Sequence, residues 1–119
     1  MNLLAIYKEF NHDHFGGRLP IIVVEWSDVI PKGSMAAAHV HGLSPCYKKY
    51  CGTNCKASFI RVHPILKYLE LEVEAERSLM HEMAHIEGLV GDPRLARHTP
   101  QFYARIKELV AAGAYDGLL

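Results

Sequence analysis

The 119-residue chain lacks several things, and each absence removes a class of protein. It has no run approaching the ~20 apolar residues that a membrane helix needs, so no transmembrane span is expected. Its opening, Met1 to Phe15, carries no basic leader, and charges and histidines break up its apolar run. It does not read as a signal peptide. Cysteine is scarce and odd in number, with only Cys46, Cys51 and Cys55. Such a count without a secretion signal points to reduced thiols in a cytoplasmic protein rather than to a disulfide framework. Net charge is also absent, with 13 basic and 13 acidic side chains. That excludes an indiscriminate polyanion binder, which needs a basic excess. No internal repeat, low-complexity tract or long linker divides the chain. A single domain over residues 1–119 is expected, built on one core and monomeric.

The zero net charge averages two unequal halves. Residues 1–69 hold 8 basic and 4 acidic side chains, and residues 70–119 hold 5 basic and 9 acidic. No acid occurs between Asp28 and Glu70, whereas Lys32, Lys48, Lys49, Lys56, Arg61 and Lys67 do. The segment 32–67 reads first as a solvated basic loop. Its second reading is a rim for an acidic substrate or for weak DNA contact.

Histidine is what the chain has in excess, with eight residues. It is the commonest metal ligand and the usual acid–base residue near neutral pH.

The apolar pattern predicts an order α-β-β-β-α-α, an α+β domain with a small three-stranded sheet packed on helices. Leu3, Ile6, Tyr7 and Phe10 recur at helical spacing. Gly16-Gly17 and Pro20 then turn the chain. Ile21 to Trp26 reads as a short buried strand, Met35 to Leu43 as a second and Ala57 to Val62 as a third. A helix is expected from about Glu72, with Leu79, Met83, Ile86 and Val90 as its stripe and Gly88 and Gly91 marking its end. The last helix has Thr99 as N-cap, Pro100 in its first position and Gly113 past its end. Its buried stripe is Phe102, Ile106, Leu109 and Val110.

The strongest chemical signal is His81-Glu82-Met83-Ala84-His85. On a helix, residues four apart project from one face, so His81 and His85 can grip one Zn2+ ion. Glu82 adjoins the first ligand, where its carboxylate can take a proton from a zinc-activated water and pass it on. A catalytic site needs a third protein ligand and an open fourth position. Glu87 lies two residues past His85 and points around the helix. Asp92 and His98 remain as candidates, His98 being preferred because a 12-residue connection can fold it back over the helix. Gly91 stands where the metzincin pattern would require its third histidine.

Three blocks in order resemble the SprT-like zinc metalloprotease domain, the group that contains the Spartan-type proteases. They are Phe10-Asn11 through Phe15, Gly17, Leu19, Pro20 and Trp26; Phe59-Ile60-Arg61-Val62 with Pro64; and His81-Glu82-x-x-His85 followed by His98-x-x-x-Phe102. The resemblance spans about residues 6–110. It implies a zincin-like active helix, His81, His85 and His98 as zinc ligands, and Glu82 as general acid/base. It also implies hydrolysis of a protein or peptide substrate, with DNA-associated proteins as one substrate class and a nuclear or nucleoid setting as the alternative to plain cytoplasm. Thr99 stands where the family often has glycine after the third histidine. The alternative function is a zinc-containing binding module, an adaptor for nucleic acid or protein without proteolysis.

Other residues are weighed against simpler roles. Cys46, Cys51 and Cys55, with His39 or His41, could form a second metal site, but the paired C-x2-C spacing is missing. His39 and His41 alternate on the expected second strand and read mainly as surface histidines. His12 and His14 suit a helix C-terminus. His63 ends a strand, Tyr103 packs or lies on the surface, and Trp26 anchors the core.

Overall fold

The computed structural model describes residues 2–43, 58–68 and 71–114. Helix α1 (Leu3–His14) starts where the Asn2 side chain accepts the Ala5 N–H, satisfying one of the donors a helix start leaves free. It ends at a reversal through Gly16 and Gly17, whose φ values of 62° and 72° favour glycine. Asn11 locks this reversal. Its side chain bonds both the N–H and the carbonyl of Leu19, each at 3.1 Å, while its own carbonyl accepts the Gly17 N–H. The fully buried Phe15 and the buried Leu19 then seat beneath the helix.

Strands β1 (Val23–Trp26), β2 (Ala36–His39) and β3 (Phe59–Val62) form a mixed sheet in the order β1-β3-β2. Strand β3 runs parallel to β1, with Val23 opposite Phe59, and antiparallel to β2, with Ala36 opposite Val62. The last strand in sequence is therefore the central one, and it alone has Phe59, Ile60 and Val62 all buried. Strand β1 is an edge rather than a buried strand. It is shorter than the apolar run suggests: Ile21 is outside it and 99% exposed. An edge strand has a neighbour on one side only, so β-branched residues there need not be covered. Strand β2 also stops early, at His39, before the turn at Gly42.

Helix α2 (Glu72–Val90) crosses the sheet and buries Ala75, Leu79, Met80, Met83, Ala84 and Ile86 against it and against α1. The expected stripe holds as far as Ile86, but Val90 is exposed at the C-terminal end. Helix α3 (Pro100–Ala111) packs on α2 through Phe102 and Leu109. Val110 is exposed, so the stripe on this helix is narrower than expected. Beyond it Gly113, at φ 87°, lets the Ala114 N–H return to the Leu109 carbonyl. Two 3-10 turns, Pro64–Lys67 and Pro93–Leu95, complete the α+β fold. Among the described residues no helix is long and apolar enough to cross a membrane.

Tyr7 gives the fold a checkable alkaline limit. Its hydroxyl donates to the Pro20 carbonyl at 2.6 Å, and burial pushes its pKa up from 10.0 to about 12. A raised pKa means that the folded chain keeps this proton in a range where the unfolded chain loses it. The contribution is complete below pH 10 and fades as pH rises toward 12, by roughly 2–3 kcal/mol in total. Urea denaturation at pH 9 and pH 11.5 should therefore show the wild type losing more stability than Tyr7→Phe over that interval. Equal losses would show that Tyr7 does not carry the effect.

Candidate metal centre

Helix α2 presents His81 and His85 one turn apart on the face turned toward α3. The third imidazole comes from the connection between these helices, which a series of local contacts folds back. Asp92 caps the Pro93–Leu95 turn by accepting the Arg94 N–H at 3.1 Å and pairs with the Arg94 guanidinium. Thr99 accepts the Phe102 N–H at 3.2 Å and starts α3, while its hydroxyl donates to the Arg94 carbonyl. Thr99 thus caps the helix and closes the turn together. His98 is held between these two capped segments.

Gly88 makes the return of the connection close enough. It is buried within α2 rather than at its end. A Cβ there would fall well inside contact distance of the Leu95 carbonyl carbon and the Ala96 nitrogen, and 2.7 Å from Leu95 Cβ. The missing side chain lets the 93–96 backbone lie directly on the helix.

The three Nε2 atoms then converge. His81 and His98 stand 3.0 Å apart, and His85 lies 3.2 Å from each. Donors at ~2.0–2.1 Å from one tetrahedral ion are ~3.3 Å apart, so the triangle fits a single metal ion closely. Among the described residues this is the one group of three or more metal-ligating side chains with donor atoms this near one another, and no fourth joins it.

Electrostatics and packing keep the imidazoles ready as ligands. Burial, then the neighbouring His98, lowers the His81 pKa. Burial, then His81, lowers that of His85 to about 4. Both shifts favour the neutral ring, the form that ligates a metal. The Leu95 carbonyl, 3.3 Å from His85 Nδ1, accepts the Nδ1 proton and leaves the Nε2 lone pair free. Phe102, fully buried, is the floor of the cluster. His85 stacks on it at 4.3 Å between centroids, and His81 meets it edge-on at 5.0 Å. The sequence placed Phe102 in the core stripe, but its role as a platform for three histidines could not be read from periodicity.

Glu82 shares a cleft of about 370 Å³ with His81 and His98. Burial pushes its carboxyl up to about 7. Glu87 and Asp92 stay apart from the cluster. Glu87 sits between Arg105, at 2.6 and 3.1 Å, and Arg18, at 3.1 Å, and ties α2 to α3 and to the end of α1. Asp92 serves its turn.

The remaining candidates resolve less uniformly. His39 is not a surface histidine: it is buried and stacked on Phe59 at 5.2 Å, while His41 lies beyond the strand and is exposed. The strand stops at His39, so the two do not share a strand face. His63 accepts the Ile65 N–H and starts the first 3-10 turn as well as ending β3. Tyr103 is 54% exposed, its ring 6.1 Å from that of His98. Trp26 is half-buried against the core, with Lys67 Nζ 5.7 Å from its ring centre. In the basic segment, Arg61 is paired with Glu25. Cys46, Cys51, Cys55, Lys48, Lys49 and Lys56 lie outside the described residues.

No protein-family model, no curated protein and no solved structure matches the chain.

Proposed function

We propose that the protein is a zinc-dependent metallopeptidase of the SprT-like, zincin kind. His81, His85 and His98 hold the metal, and Glu82 is the general acid/base. The observation that carries this reading is one cleft combining three converging imidazoles, no fourth protein donor among the described residues, and the Glu82 carboxyl beside them. A closed structural zinc site has four protein ligands, whereas a catalytic one keeps a position open. A bound zinc supplies a Lewis acid that activates water and polarises a carbonyl.

Glu82 takes a proton from the attacking water as the new C–O bond forms. It delivers that proton to the nitrogen as the C–N bond breaks, so water is consumed and no side chain is acylated. A carboxylate beside the reacting water can act in both directions. Phe102 and the Leu95 carbonyl keep the ligand rings in their orientation throughout.

Two measurements test the reading. Zinc-loaded protein should cleave unfolded casein, lose cleavage on chelation and regain it with added zinc. Intact casein under all conditions would overturn the peptidase assignment. His98→Ala should weaken zinc binding by more than about 100-fold, and Asp92→Ala only a few-fold. Competition titration showing the reverse order would transfer the third ligand to Asp92.

A further inference from the structure

Arg77 lies four residues before His81 on α2, so the two side chains share a helix face one turn apart. It lines the same cleft as Ser34, Ser78, His81, Glu82 and His98, and it is the permanent cation among the cleft's lining residues. Its hydrogen bonding is incomplete. Nη1 donates to Glu74 Oε1 at 2.7 Å, while Nε is shielded from solvent and has no hydrogen-bond partner. A buried N–H without an acceptor is costly, and such groups call for an explanation.

We infer that Arg77 is the specificity residue of this cleft, receiving a carboxylate of the bound peptide on the Nε–Nη2 edge that Glu74 leaves open. The inference rests on the peptidase reading and adds the substrate class: peptides bearing an acidic side chain or a free C-terminal carboxylate near the scissile bond. The guanidinium fork matches a carboxylate through two parallel N–H···O bonds, which a lysine or a neutral donor cannot reproduce. Glu74 occupies only the other edge. Its carboxylate is half-exposed, and exposed ion pairs hold their partners weakly. The Arg77 side chain is itself one-third exposed. Nε itself is shielded, so receiving a carboxylate there requires the side chain to turn about its outer torsions.

The test is peptide binding to zinc-loaded Glu82→Gln protein, read by fluorescence anisotropy. Peptides of one sequence carry Glu or Gln at each position in turn, and a second set ends in a free carboxylate or an amide. At one position Glu, or the free terminus over the amide, should bind about tenfold more tightly or better. The set that shows the preference identifies the source of the carboxylate. Arg77→Gln in the same background should bring the ratio to near one, and Arg77→Glu should turn it toward Lys-containing peptides. Equal zinc stoichiometry in every variant confirms that the fold and metal site persist, and Arg77→Gln alone suffices if Arg77→Glu does not fold. No carboxylate preference at any position or terminus, or a preference that survives Arg77→Gln, would overturn the inference. Cleavage by the wild type is a separate readout. Cleavage without carboxylate preference removes only the role of Arg77, and preference without cleavage removes only the peptidase reading.

Discussion

Glu82→Gln is expected to lower peptide cleavage by the zinc-loaded protein by roughly 10²- to 10⁴-fold in kcat, the range a general acid/base contributes. Zinc stoichiometry should stay at the wild-type level. The two expectations separate because Glu82 lies in the cleft but outside the three-nitrogen cluster. Gln keeps the size and a hydrogen-bonding oxygen but cannot take up a proton. The carboxyl is buried enough for its pKa to rise to about 7, so a neutral amide suits the site and the fold should not weaken. Metal analysis and a fluorogenic peptide assay on the same preparation decide the matter. Cleavage at the wild-type rate would remove Glu82 from the chemistry. Loss of zinc along with activity would instead make it part of the metal's environment.

The second large effect is structural. Gly88→Ala should destabilise the protein by about 2–4 kcal/mol, as overpacking against backbone does. That corresponds to a fall in Tm on the order of 10 °C. It should also weaken zinc binding by about 10- to 100-fold, although Gly88 is not a ligand. The reason is the identity of the atoms in the way. The new methyl would press on the Leu95 carbonyl carbon and the Ala96 nitrogen. The Leu95 carbonyl orients His85, and the segment leads directly to His98. Gly91→Ala is the control, because its Cβ would meet only the Glu87 carbonyl oxygen at 3.2 Å. Its effect should be small by comparison. A Gly88→Ala protein with wild-type Tm and zinc affinity would mean that the connection does not rest on α2 at this point.

Much of the architecture was legible because its signals are local. The Thr99-Pro100 start of α3, the Gly16-Gly17 turn at the end of α1, and the stripe of α2 up to Ile86 each follow from residues within a turn or two. The strands were harder to bound. A run such as Ile21 to Trp26 is apolar whether it is central or at an edge, and only its neighbours decide how much of it pairs. Gly88 departs from its expected place at the helix end for a related reason. A glycine near a helix end resembles a terminator in sequence, but here it admits another backbone to a helix that continues to Val90. Arg77 was not distinguished from other charged residues, since an unpartnered Nε has no signature along the chain.

The sequence by itself determined the α+β class, the helix that carries His81 and His85, and the fact that His81, Glu82 and His85 occupy neighbouring positions on it. Those are consequences of a 3.6-residue period, and no distant contact is needed to produce them. It also narrowed the candidates for a third ligand to His98 or Asp92. Tertiary structure brought His98 to 3.0 Å from His81, 17 residues away in the chain, and left Asp92 in its turn. It also made β3 the centre of the sheet, placed a partly buried Glu82 in the cleft, and set Phe102 beneath the three rings. These depend on how the capped connection packs against Gly88 and how α3 lies on α2. Such long-range contacts arise from packing rather than from the order of residues within any one segment.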